Sequence, residues 1–136
     1  MTSSPDRFAH QAEQLVGAPF RLHGRDPESG LDCIGLAAAA LAGAGIAARI
    51  PQGYTLRNLR IGGLVSHASA SGFAPVGGTV LRGDLLLVRP GPAQHHLLVA
   101  LGEDRFIHAH AGLGRVVIQT GLSGWPILHH WRLSAG

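Results

Sequence analysis

An uncharged stretch, residues 33–48, constrains the fold of this chain more than any other feature. It consists mostly of alanine and glycine, it is shorter than the roughly 20 residues that span a bilayer, and Asp32 before it is a good helix N-cap. A helix that is apolar on every side is stable only when other elements cover it. We therefore predict a central buried helix from Cys33 to about Ala44, and no membrane span.

Other segments flank this helix on both sides. A first amphipathic helix is predicted after the start signal of Ser4 and Pro5, ending before Gly17. Residues 18–31 are rich in glycine and proline and are typical of a loop that can form a pocket wall. A weaker helix, interrupted by two glycines, is expected over residues 55–71.

From Phe73 onward the pattern changes to short strands separated by turns. The predicted strands cover residues 84–89, 95–101, 105–108, 115–120 and 128–133. Helices followed by an antiparallel meander are typical of an α+β domain, here with the sheet packed on the buried helix. Without a repeat or linker, the 136 residues are expected to form a single domain over residues 1–136 with room for one site.

The distribution of charge, the N-terminal sequence and the number of cysteines exclude several classes of protein. Aromatic residues are only 5% of the chain, and all 11 basic residues are arginines scattered along it, so no nucleic-acid partner is expected. Residues 1–14 contain Asp6, Arg7 and Glu13 and lack the apolar segment of a secretory signal, which predicts synthesis in the cytoplasm. One cysteine excludes an internal disulfide and a multi-thiolate zinc site.

That cysteine, Cys33, lies in the first turn of the predicted central helix. Free backbone N–H groups and the helix dipole favour a thiolate there, which lowers the thiol pKa and makes a nucleophile. The alternative is a small buried hydrophobic residue, the more common state of a lone cysteine. Position alone leaves both open.

Four of the nine histidines, His95, His96, His108 and His110, lie in one predicted hairpin. His96 and His108 are an even number of residues apart, so an odd-length loop around residues 102–104 would place them opposite each other on one face. One ring could then act as the base and the other could orient it. The same rings offer a rival metal site, although the nearby carboxylates lie in the hairpin turn.

Five segments of the sequence form one ordered pattern. They are residues 17–24 (GAPFRLHG), 30–36 (GLDCIGL), 82–85 (RGDL), 96–102 (HLLVALG) and 106–109 (FIHA). Together they resemble the NlpC-type papain-like cysteine peptidases. Members of that family cleave stem peptides of bacterial cell walls, typically beside a γ-linked D-glutamate, with a Cys-His-polar triad on an α+β papain-like core. The PFRLHGR run and the DCIG variant are most similar to small single-domain members encoded with phage tails and gene transfer agents.

The resemblance implies that Cys33 is the nucleophile, His96 the base and His108 the orienting third residue. Strand phase and the family's spacing to Gly102 favour His96 over His95 as the base. The resemblance also implies a γ-D-glutamyl endopeptidase acting on peptidoglycan stem peptides, with no cofactor and no metal. Proteins of a phage-tail-like particle are candidate partners.

Two positions depart from the family pattern, and each lacks a hydroxyl. Ile34 stands where the family usually has serine, and Phe20 stands where tyrosine is common. His23 is close enough in sequence to replace the missing phenol, and the Cys33 N–H is available for an oxyanion. Phe20, His23 and Asp32 are therefore the candidates for the substrate or oxyanion side of the site.

Two other functions stay open. The departures at Phe20 and Ile34 motivate a non-catalytic structural or delivery component of a phage-tail-like particle with the same fold, and His96, His108 and His110 motivate a histidine-rich metal-binding α+β protein. An enzyme of this kind is expected to act at the cell wall if a particle or lysis delivers it, and otherwise in the cytoplasm.

Overall fold

Helices cover one face of a six-stranded antiparallel sheet in the computed structural model, which describes residues 3–48, 61–92 and 94–134. They are α1 (Ser4–Gln14), α2 (Cys33–Gly43) and α3 (Ile61–Ala70). The α1 helix begins one residue earlier than expected, because Ser3 caps it by accepting a hydrogen bond from the N–H of Asp6. Within the described ranges no helix is both long and apolar enough to cross a membrane.

The α3 helix runs through Gly62 and Gly63, so the expected interruption is wrong. Leu64 and Ala68 on this helix are buried in the main core, and such packing offsets the poor helix propensity of glycine. The start of the predicted helix, residues 55–60, lies outside the described residues.

The strands extend the sequence prediction and change its topology. They are β1 (Arg25–Asp26), β2 (Gly30–Leu31), β3 (Phe73–Pro75), β4 (Leu85–Val88), β5 (His96–Gly102), β6 (Arg105–His110), β7 (Arg115–Thr120) and β8 (Ile127–Leu133). The large sheet has the order β3-β8-β4-β5-β6-β7, so only β4 to β7 form the expected meander. The last strand, β8, returns to lie between β3 and β4.

Two apolar clusters lie on opposite faces of the sheet. The larger fills the space between the helices and side chains such as Leu85, Leu97 and Val99. The smaller lies behind the sheet, around Leu98 and Phe106. Because α2 is covered by α1 and the sheet, the predicted α+β fold with a buried central helix is confirmed.

A buried carboxylate ties β4 to β8. Asp84 is 0% exposed and accepts hydrogen bonds from the Leu81 N–H at 2.9 Å, from His130 Nε2 at 2.6 Å and from Arg132 Nε at 2.7 Å. Burial alone would raise the pKa of Asp84, but the bonds from Arg132, Leu81 and His130 outweigh it and hold that pKa below its usual value. The ionised form therefore stabilises the fold, and that contribution is lost as the pH falls through the lowered pKa.

Replacing Asp84 with asparagine should therefore destabilise the protein. We expect Asp84→Asn to lower the free energy of unfolding by about 2–3 kcal/mol, because the change leaves Arg132 and His130 without the charged acceptor. Urea unfolding at pH 7 measures this difference. Glu28→Ala, at an exposed position, is the control and should change stability by less than about 0.5 kcal/mol. Equal stability of the two variants would contradict a structural role for Asp84.

Candidate active site

The turn that carries Cys33 is fixed by one carboxylate. Cys33 is the first residue of α2, and Asp32 caps the helix by accepting a hydrogen bond from the Gly35 N–H at 2.7 Å. The same carboxylate accepts from Arg25 Nη1 at 2.8 Å and from the His23 backbone N–H at 3.1 Å. Asp32, which is only 3% exposed, therefore joins the preceding loop to the helix and positions the cysteine.

The loop before α2 lies directly against the first turn of the helix. A Cβ at Gly35 would collide with the carbonyl oxygen of Gly24, so the close approach requires glycine. Phe20 is half-buried and packs against the main core, whereas His23 is exposed with a φ of 62°. Of the three residues predicted on the substrate side, His23 is the most accessible and Asp32 is occupied by backbone and arginine contacts.

The surroundings of Cys33 change the expected state of its thiol. The side chain packs against the main core and is only partly accessible. Burial raises the pKa of Cys33 to about 12, and the charge of Asp32 adds to the rise, although the N–H groups of Leu97 and Ile34 favour the thiolate. The expectation that the helix N-terminus lowers this pKa is therefore wrong, because lost hydration outweighs the N–H groups. At neutral pH, Cys33 is a thiol.

Two histidines share the sheet face that Trp125 covers. The ring centroids of His96 and His108 are 5.7 Å apart, and that of Trp125 lies 5.8 Å from the first ring and 6.3 Å from the second. Burial and the neighbouring His110 and His95 lower the pKa of His96 below 6.5. The His96 imidazole is therefore neutral at pH 7 and can accept a proton.

The register of the hairpin differs from the expected one. Val99 pairs with Ile107, and the turn consists of two residues, Glu103 and Asp104, both with positive φ. The pairing of β5 with β6 changes register between Ala100 and Gly102, next to this turn. As a result the two catalytic candidates lie on the same face, as predicted, but diagonally rather than directly opposite each other.

His108 is almost fully buried, at 1% exposure. Burial, with smaller effects of the neighbouring His96 and His110, lowers the pKa of His108 to about 4, so its ring is neutral at pH 7. His108 Nε2 lies 3.0 Å from Gln119 Oε1. His110 is a third ring on this face, with its centroid 5.4 Å from that of His108.

Sequence reasoning missed Gln119 and Trp125. Gln119 lies on β7 two residues beyond Val117, the pairing partner of His108, so its polarity on that face was a usable signal. Trp125 follows a glycine-rich turn and had no periodic signal. Neither could be connected to the histidines without knowing the order of the strands.

The histidines were also candidates for a metal site. Among the residues that the structure describes, no group of three or more His, Cys, Asp or Glu side chains could hold a metal ion. His108 and His110, two of the four histidines considered for a metal site, thus have no third ligand in this part of the chain.

Comparison with known proteins identifies the family of the chain. Residues 17–126 match the NlpC/P60 family. This chain belongs to that family. The resemblance recognised in the sequence is thereby confirmed, and no curated protein matches the chain.

Solved structures of NlpC/P60 proteins have a similar fold. NlpC1 from Trichomonas vaginalis has a TM-score of 0.73 at 19% identity, over 98% of this chain and 45% of the other. The NlpC/p60 domain of the peptidoglycan hydrolase SagA has a TM-score of 0.64 at 26% identity, over 96% and 97%. The peptidoglycan hydrolase RipB from Mycobacterium tuberculosis has a TM-score of 0.62 at 23% identity, over 96% and 65%. This chain thus spans less than half of the Trichomonas protein and nearly all of the SagA domain.

The raised pKa of Cys33 predicts how the thiol reacts with iodoacetamide. Because only the thiolate reacts, labelling at pH 7 should be slow and should rise about tenfold per pH unit with no plateau near pH 8.5. Intact mass reports the reaction at one site, since the sequence has 1 cysteine. The urea-unfolded protein is the control and should level off above pH 8.5. A plateau below pH 8 in the folded protein would contradict the neutral thiol.

Proposed function

We propose that this NlpC/P60 protein is a cysteine peptidase that hydrolyses amide bonds in peptidoglycan stem peptides, as a γ-D-glutamyl endopeptidase. The observation that carries the proposal is the contact between the thiol and β5. The Leu97 N–H lies within hydrogen-bonding reach of the Cys33 sulfur, and His96 is the residue immediately before Leu97. The thiol and the neutral His96 are therefore both placed at the start of β5.

The mechanism follows from the neutral state of both groups. As the Cys33 sulfur attacks the carbonyl carbon, His96 takes the thiol proton. The backbone N–H of Cys33, the first residue of α2, donates a hydrogen bond to the oxyanion that forms. His96 then gives its proton to the leaving amine, which leaves a thioester on Cys33. Water, activated by His96, hydrolyses this thioester to the carboxylic acid and restores the thiol. His108 stabilises and orients the His96 ring throughout.

A groove of about 530 Å³ lies beside His108 and His110, and since neither Cys33 nor His96 lines it, it offers a place for a part of the peptide away from the bond that is cleaved. Its lining includes His108, His110, Arg115, Leu113 and Gln119. Stem peptides carry free carboxylates, and an arginine at the groove matches that charge. This chemistry supports an acidic peptide as the substrate and needs no cofactor.

One observation favours a second function. The raised pKa of Cys33 fits a packing residue as well as a nucleophile, and no hydrogen bond joins Cys33 to His96 in the described part of the chain. A protonated Cys33 without a bond to His96 is also compatible with a non-catalytic component of a phage-tail-like particle. Turnover of a stem peptide separates the two functions.

Two adjacent histidines provide a matched test of the base. We expect His96→Ala to lower kcat by about 10³-fold or more, because no other group would take the thiol proton, while His95→Ala keeps most of the activity. Release of the diamino acid from L-Ala-γ-D-Glu-diaminopimelate, followed by mass spectrometry, measures this. For the wild type, kcat/KM should fall with decreasing pH through a pKa below 6.5, because a protonated His96 cannot act as a base.

The nucleophile is tested with Cys33→Ser and Cys33→Ala. Both variants should keep the wild-type circular dichroism and lose hydrolysis. Turnover retained by either variant would refute Cys33 as the nucleophile. A wild-type protein that cleaves no stem peptide would instead favour the particle component.

A further inference from the structure

The proton on the His108 ring can be assigned from its neighbours. Gln119 Nε2 donates to the Gly121 carbonyl oxygen at 2.9 Å, and a carbonyl can only accept. The amide nitrogen of Gln119 must therefore face Gly121, which turns Oε1 toward His108. Because Oε1 is also only an acceptor, the proton of the neutral His108 ring must be on Nε2.

The other ring nitrogen of His108 is then an acceptor without a donor. Nδ1 is buried and has no hydrogen-bond partner in the described part of the chain. An unpaired buried acceptor costs free energy, and native structures keep few of them without a functional reason. The lone pair on Nδ1 is thus available for a donor that is created during the reaction.

The neighbouring rings indicate which donor this is. His110 Nδ1 accepts a hydrogen bond from the Leu113 N–H at 3.0 Å, so the ring proton of His110 is on Nε2, and that N–H makes no hydrogen bond to His108 Nδ1. His96 is the ring that gains a proton in the proposed reaction, and its centroid is 5.7 Å from that of His108. A protonated His96 carries two N–H groups, one for the leaving amine and one for an acceptor behind it.

We propose that Gln119 is a positioning residue that holds His108 in its Nε2–H tautomer, so that Nδ1 accepts a hydrogen bond from His96 when His96 carries the thiol proton. In the opposite tautomer, the Nδ1–H of His108 would face an N–H of His96, and this would destabilise the His96 imidazolium. This role rests on the proposed peptidase function, but the tautomer itself can be measured without substrate.

Nitrogen NMR of the histidine side chains tests the tautomer directly. In ¹⁵N-labelled wild-type protein at pH 7, His108, assigned from the signals lost in His108→Gln, should be protonated at Nε2 only. Gln119→Leu should produce a substantial Nδ1–H population, whereas Gln119→Glu should keep the Nε2–H form because a carboxylate oxygen still accepts. Thr120→Val, the adjacent exposed position on β7, is the control and should match the wild type.

Kinetics on the same variants test the catalytic consequence. Gln119→Leu should lower kcat about tenfold or more with KM nearly unchanged, and Gln119→Glu should recover part of the loss. An unchanged His108 tautomer in Gln119→Leu would overturn the proposal, as would a changed tautomer with wild-type kcat. If the wild-type protein shows no turnover, the peptidase function fails, while the NMR result still decides whether Gln119 sets the tautomer.

Discussion

The Asp32 carboxylate is the contact on which the rest of the site depends. It caps α2, and it holds the preceding loop through Arg25 and the backbone of His23. The cysteine is the next residue along the chain, so its position is set by this one side chain. Placing the thiol at the start of a largely buried helix fixes its location, and it also removes water that would stabilise a thiolate.

The chemistry of the site follows from that burial. Cys33 keeps its proton, and the pKa values of His96 and His108 are both lowered, so the three side chains are neutral at pH 7. In the proposed reaction, charge therefore develops only when substrate is attacked, in surroundings already arranged to receive it. The chain of hydrogen bonds from His108 to Gln119 and from Gln119 to the Gly121 carbonyl is one part of that arrangement.

Local signals predicted the parts of this fold that depend on few residues. The capped α2 helix followed from Asp32 and an apolar run, and the strands followed from alternation and glycine-rich turns. The position of β8 beside β4 could not be predicted, because it depends on the buried Asp84 contacts between strands far apart in sequence. The sequence predicted a buried α2, but the direction of the Cys33 pKa shift was missed, because the loss of water around the sulfur depends on the side chains that pack against the first turn of the helix.

For the candidate site, too, the sequence predicted local features but not the details that depend on how the strands pair. The shared face of His96 and His108 followed from even spacing, but their offset depends on a two-residue turn and an irregular pairing that spacing does not specify. Gln119 was found only once β7 was known to lie beside β6. Residues that act through another side chain leave little trace in a single sequence, because their polarity alone does not identify their partner.

Trapping of the acyl-enzyme is the most direct test of Cys33 as the nucleophile. Rapid acid quenching of the protein with L-Ala-γ-D-Glu-diaminopimelate, followed by intact mass, should show the wild-type chain carrying the L-Ala-γ-D-Glu acyl group, removable by hydroxylamine as expected for a thioester. Cys33→Ala should show no adduct. Product formation without an adduct on Cys33, or an adduct that persists in Cys33→Ala, would contradict the thioester mechanism.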